Sequence, residues 1–279
     1  MTRFTELVGC QLPLQLAGMG GVGTTELAAA VVGAGGCGMV PDGVAPALGT
    51  CGVNFLMPFN PSLEHVREVG GRTGLVEFFY ADPRRDVVDA AHAVSALVGW
   101  QVGSMEEAVA AEAAGCDFVV AQGSEAGGHI RGKQSLDELL PKVLAAVTVP
   151  VVAAGGVATA ERFGSLIRAG ADAVRIGTRF VASPESAAHP EYVIELLAAG
   201  DGDTVLTEWF GDGWEHAPHR VLRSALYAAQ NSGWRSVMPP TQGQSRGSAD
   251  MAMYAGMGVG HVKTSQPARD VVADLVRFL

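Results

Sequence analysis

The sequence predicts an α/β chain folded as a (β/α)₈ barrel, a TIM barrel, with a C-terminal helical and loop extension. Two observations carry that expectation. Short apolar runs alternate with alanine-rich amphipathic segments, the pattern of parallel βα units, and eight such runs fall within roughly 180 residues. Taken in order, the strands are expected at 13–17, 38–40, 52–56, 75–80, 96–101, 118–121, 151–154 and 173–176. Helices are expected at 24–32, 86–92, 105–113, 136–147 and 159–168, each introduced by a capping or acidic signal. The stretch 42–50 is too short and too rich in glycine and proline for a helix, so one crossover is shortened.

Beyond residue 180 the strand–helix rhythm stops. Helices are expected at 190–199, 220–230 and 270–278, and 233–247, with two prolines and three glycines, reads as a long loop over one face. The expected organisation is one domain over 1–279. Its barrel occupies about 10–180, and 181–279 packs on or over it. No repeat, low-complexity segment or clear linker interrupts it.

Composition narrows the function classes. With 48% hydrophobic residues, 37 glycines and only 17% charged residues, the chain fits a compact enzyme with many tight loops and not a disordered one. A net charge of -10 argues against nucleic acid or an anionic membrane surface as partner. Cys10, Cys37, Cys51 and Cys116 form no C-x-x-C pair and sit in or beside apolar runs, as buried small hydrophobes in a reducing compartment do. No run has the length of a membrane span, and the first residues lack a signal-peptide core. A cytoplasmic protein with a small-molecule substrate is the expectation; the oligomeric state stays open.

The chemistry is concentrated in Gln122-Gly-Ser-Glu-Ala-Gly-Gly-His129, which follows the apolar run 118–121. Its glycines allow close backbone approach to a ligand, and it offers an amide, a carboxylate and an imidazole able to move a proton near neutral pH. Its place at a strand's C-terminal end is where parallel α/β folds bind ligands. A lone loop histidine is more often a polar surface residue, but the flanking glycines weigh against that here. Two further turns come as a pair. The strand 151–154 ends in Gly155-Gly156, and Arg175-Ile176-Gly177-Thr178 closes the next. As seventh and eighth strands they would offer orphan N–H groups to a phosphate at the barrel mouth. Asn54 and Gln101 also fall at strand ends, where amides read a heterocycle. Arg175 must pair with a buried carboxylate or reach a ligand.

Other motifs carry less. Gly18-Met-Gly20-Gly-Val-Gly23 with Asp42 fits a dinucleotide fingerprint, yet a lone match among 37 glycines is weak and no doubly wound plan absorbs eight strands. The H-x-x-H of His216 and His219 lacks a third metal ligand, and Pro218 makes the region read as a turn entering a helix. Arg179, Arg220 and Arg223 read as a solvated face or as a greeting for an acidic tail.

Together these residues resemble the nitronate monooxygenase (2-nitropropane dioxygenase) family, which is related to flavin-dependent enoyl-acyl-carrier-protein reductases. The matching elements are Leu-Ala-Gly-Met19, Gly23-Thr24, Gly52-Val-Asn54, Gln101-Val102, the 122–129 segment, Ala154-Gly-Gly-Val157, Gly177-Thr-Arg-Phe180 and Tyr254-Ala-Gly256. The resemblance implies FMN in the barrel. Asn54, Gln122 and Gly127 would contact flavin and ribityl chain, Met19 would lie against the ring, and Gly156 with Arg175, Ile176, Gly177 and Thr178 would hold the phosphate end. It also implies His129 as catalytic base in the oxidation of alkyl nitronates or nitroalkanes by dioxygen. The alternative on the same barrel is an NAD(P)H-dependent reductase of an enoyl thioester, for which the mouth and Arg246 leave room. A flavin-free phosphate-ligand binder is the third class. Departures from the family's usual pattern are the short crossover, Arg175 where glutamine is frequent, and the segment 238–251.

Overall fold

The computed structural model describes residues 1–244 and 250–279. Among them run β1 (Leu14–Leu16), β2 (Gly38–Pro41), β3 (Cys51–Leu56), β4 (Leu75–Phe79), β5 (Leu97–Val102), β6 (Phe118–Gln122), β7 (Gly128–His129), β8 (Val151–Ala154), β9 (Ala173–Ile176), β10 (Thr204–Thr207) and β11 (His219–Leu222). Eight of these form one parallel sheet in the order β1-β9-β8-β6-β5-β4-β3-β2. The sheet closes on itself where Gln15 bridges Cys37, with Leu16 N–H donating to Cys37 O at 2.9 Å and Cys37 N–H to Leu14 O at 2.8 Å. The predicted barrel is therefore the observed one, and all eight expected strands are in it.

Local chemistry explains why the chain alternates. The strands are runs of valine, alanine and aromatic residues, almost wholly buried because helices cover their outer face. Five of the turns into the outer helices supply a side-chain cap. Thr24, Ser62, Ser104, Ser135 and Thr159 accept from the N–H three residues on. Each such cap contributes about 1 kcal/mol. The crossover 42–50 has no helix, as expected. The helix Ala268–Leu275 packs between Thr25–Gly33 and Ala160–Arg168 and completes the outer layer.

The lower end of the barrel is plugged by the helix Arg3–Val8. Phe4 is fully buried there and meets Phe118 edge-on at 5.3 Å. Above this plug lies a polar layer of Gln15, Glu77, Gln101 and Arg175, and above that the mouth.

The structure corrects two readings. The helix expected at 220–230 begins at Arg223, because His219–Leu222 is a strand whose pattern is set by tertiary pairing and not by local propensity. That strand joins β10 and β7 in an antiparallel three-stranded sheet over the mouth, with His219 opposite His129. A helix Leu63–Thr73, which the sequence reading did not single out, fills the third crossover. Its Gly70 hid the periodicity, and that glycine lets the helix approach Ala96 and Val94 closely.

Candidate active site

A cavity of about 270 Å³ opens at the C-terminal ends of the barrel strands. Of the positions singled out from sequence, Met19, Asn54, Gln101, Gln122, Gly127, His129, Gly155, Gly156, Arg175, Gly177 and Thr178 all line it. Ile176 does not. It is buried in the barrel core, and its carbonyl accepts from Ala17 N–H at 2.9 Å.

The two amides are held in defined orientations by their neighbours. Gln122 Nε2 donates to His129 O at 3.0 Å, so Gln122 Oε1 is left buried with no partner, an acceptor without a donor. Gln101 is turned the other way. Its Oε1 accepts from Arg175 Nη1 at 2.6 Å, which leaves its NH₂ as the group available to the cavity it lines. Asn54 packs so tightly against Gly18 that a Cβ at 18 would lie 2.6 Å from Asn54 Cβ.

The paired turns supply main-chain donors. Gly155 and Gly156 adopt φ of 129° and 67°, conformations that side chains rarely take. Among the described residues, the N–H groups of Gly156, Gly177 and Thr178 find no main-chain partner. Thr178 Oγ1 is used elsewhere, accepting from Gly256 N–H at 3.0 Å and tying the C-terminal segment to the rim. Gly127 is required by the same junction, since a Cβ there would sit 2.6 Å from Gly256 N.

Arg175 is engaged on the cavity floor. It pairs with fully buried Glu77 and donates from Nε and Nη2 to Gln15 Oε1 at 3.1 and 2.8 Å. Of the two options the sequence left open, the buried carboxylate is met, although the guanidinium still borders the cavity. The carboxylate of the 122–129 loop is structural, because Glu125 accepts Leu136 N–H at 2.9 Å.

His129 is half-buried, and its ring stacks on Trp214 at 3.8 Å and 17°. Tyr80 packs edge-on against Trp214 at 4.7 Å, so aromatic side chains form one wall. Desolvation, reinforced by nearby His219, lowers the His129 pKa to about 3. The imidazole is therefore neutral at physiological pH. Its Nε2 is sealed from solvent and has no partner.

The remaining motifs resolve as structure. Asp42 accepts from His65 Nε2 at 2.9 Å in a closed barrel that has no dinucleotide crevice. His216 is exposed and His219 buried, so they do not face one ligand, and no metal cluster occurs among the described residues. Arg179 is buried and Arg220 and Arg223 are half-buried; they donate to Gln266, Ser124 O, and Gly202 O and Thr204 O respectively. Arg246 lies outside the described residues. The sequence reading did not give Trp214 or His219 a place at the site. The alternation His-Arg-Val-Leu at 219–222 was the available strand signal.

The family model for nitronate monooxygenase matches residues 49–277. The chain belongs to the nitronate monooxygenase family. It is an oxidoreductase of a flavin-using type, related to the enzyme called nitronate monooxygenase of Pseudomonas aeruginosa, with 33% identity over 74% of this chain and 76% of that one. Two other relatives are named (3aS,4S,5R,7aS)-5-hydroxy-7a-methyl-1-oxo-octahydro-1H-indene-4-carboxyl-CoA dehydrogenase. They come from Mycobacterium tuberculosis (32% identity, 84% of this chain, 70% of that one) and Rhodococcus jostii (32%, 81%, 66%). The chain thus spans about two thirds of those two proteins' length. Among solved structures, FabK from Thermotoga maritima superposes with a TM-score of 0.84 at 28% identity, covering 99% of this chain and 95% of that one. Nitroalkane oxidase from Streptomyces ansochromogenes superposes with a TM-score of 0.77 at 28% identity, covering 99% and 97%. No helix among the described residues is long and apolar enough to cross a membrane.

Proposed function

We propose that this family member is an FMN-dependent oxidoreductase that oxidises alkyl nitronates with dioxygen, with His129 handling the proton. The observation that carries the reading is one cavity lined by a neutral imidazole, two oppositely oriented amides and two donor-rich turns. These residues fit FMN. The unpartnered Gln122 Oε1 would accept from the ring's N–H, and the Gln101 NH₂ would donate to a ring oxygen or nitrogen. The free N–H groups of Gly156, Gly177 and Thr178 would hold the phosphate. Met19 and Asn54 would flank the ring. When bound, the flavin supplies two-electron uptake from the substrate and delivery to dioxygen.

The chain's own contribution is positioning and proton control. The aromatic wall keeps water from the reacting carbon, and neutral His129 accepts or returns a proton there. His129→Ala tests the role. Turnover should fall by about 10²–10⁴-fold while the flavin stays bound; full turnover by the flavin-loaded variant would remove His129 from the chemistry.

A second reading is favoured by the two carboxyl-CoA dehydrogenase relatives and the superposition on FabK. In it NAD(P)H delivers electrons and an enoyl thioester receives them. Rapid bleaching by NADH or NADPH distinguishes it. A small-molecule substrate and a cytoplasmic setting belong to both readings.

A further inference from the structure

The ion pair at the cavity floor has its two ends unequally placed. Arg175, 7% exposed, lines the cavity, whereas Glu77 is fully buried in the barrel and borders no part of it. The pair is therefore a dipole with its cationic end toward the cavity and its anionic end inside the barrel. Among the described residues that line the cavity, Arg175 carries the one charged side chain once His129 is neutral. Its field acts in a barrel interior, where charges interact more strongly than in water.

Stability alone does not account for this pair. Glu77 receives Arg175 Nη2 and, at 3.4 Å, Gln15 Nε2 on the same oxygen, Oε2, while its Oε1 is buried with no partner. A buried carboxylate so short of donors keeps a desolvation cost that an apolar pair of similar volume would not carry. The arginine's other bonds fix it in place. Nε and Nη2 donate to Gln15 Oε1 at 3.1 and 2.8 Å, and Nη1 donates to Gln101 Oε1 at 2.6 Å. With one N–H of Nε, one of Nη1 and two of Nη2 engaged, the second Nη1–H stays available to a ligand. The bond from Nη1 also turns the Gln101 NH₂ to the cavity, adding a second donor on that side.

We propose that the Arg175–Glu77 pair is an electrostatic support for the reduced cofactor: Arg175 faces the negative charge that a flavin ring gains on reduction, so the bound FMN has a higher midpoint potential than free FMN. Two electrons and one proton from the reductant turn the neutral oxidised ring into a monoanion. A cation and an oriented amide NH₂ at the cavity floor hold that anion more tightly than the neutral ring. Glu77 keeps the guanidinium buried when no ligand is present, and its greater depth leaves the cationic end dominant at the cavity. The inference rests on assigning the cavity to FMN and is independent of which substrate gives up the electrons.

The test is the midpoint potential of FMN-saturated protein, measured by anaerobic reduction in equilibrium with a reference dye. Glu77→Gln removes the anionic end and keeps an acceptor for Arg175, so the potential should rise. Glu77→Leu with Arg175→Met removes both ends. Its preference for reduced over oxidised FMN should drop at least about ten-fold, which is about 30 mV for a two-electron couple. Opposite shifts in the two variants are what an electrostatic role produces; a pair that only braces the barrel would move both the same way or neither. A wild-type potential below that of free FMN would overturn the inference even if neither variant folded, and an unshifted potential in a folded double variant would do so equally. The measurement needs no nitronate, so inertness toward nitronates would sink the substrate reading and leave this result standing.

Discussion

At the scale of single residues, the neutrality of His129 has consequences for pH. Its folded pKa of about 3 lies below the ordinary histidine value, so between pH 6.5 and 3 the unfolded chain binds a proton that the folded chain does not. Stability should therefore fall as pH drops through that window, by up to about 1.4 kcal/mol per pH unit from this group. Buried His219, whose pKa is also lowered by desolvation, acts in the same direction. Chemical denaturation between pH 7 and 4 should show a shallower slope in His129→Phe than in wild type; identical slopes would show that the imidazole is not desolvated. For activity, the His129 base form is complete above pH 5, so kcat/KM for a nitronate should show no acid limb from this group between pH 5 and 8. Glu77 is a second residue with a defined fate. Removing it leaves Arg175 buried without its counter-charge, and Glu77→Ala should cost about 3–5 kcal/mol by denaturant titration. The double replacement Glu77→Leu with Arg175→Met should cost far less.

At the scale of elements, the turns after β8 and β9 are separable from the fold. Gly177 has an ordinary negative φ, and a Cβ there would meet only Ala17 and Met19, at 3.4 and 3.7 Å. Gly177→Ala should melt within a few degrees of wild type yet bind FMN at least about ten-fold more weakly, read by flavin fluorescence, because the methyl group would crowd a ligand held by the turn. Undiminished binding would argue against a phosphate at Gly177. The same scale shows what the sequence made legible. The barrel strands are short valine- and alanine-rich runs bounded by glycine, and their identity survives without tertiary context. β7 does not. It is two residues long and exists because Gly128 and His129 pair with Arg220 and His219, about ninety residues away in sequence. Trp214 reaches the site from an equally distant loop, so its stack on His129 was not readable from spacing. Glu125 was readable as a carboxylate in the right loop, but its bond to Leu136 N–H depends on how the following helix docks.

At the scale of the whole molecule, the chain returns on itself to finish the barrel. The helix Ala268–Leu275 buries Val271, Val272 and Leu275 against elements from both earlier ends of the barrel. Each of these side chains contributes about 1.5–3 kcal/mol of burial, comparable in sum to the net stability of a domain. Deleting 268–279 should abolish cooperative thermal unfolding by circular dichroism; a truncated chain that melted like wild type would show that the outer layer is complete without it. The central claim is that this barrel takes electrons from a nitronate. Its most direct test is anaerobic mixing of FMN-loaded protein with an alkyl nitronate, NADH or NADPH in separate cuvettes, following the loss of flavin colour. The account predicts rapid bleaching by the nitronate alone. Fast bleaching by a nicotinamide cofactor, with none by the nitronate, would contradict it and make this family member a reductase.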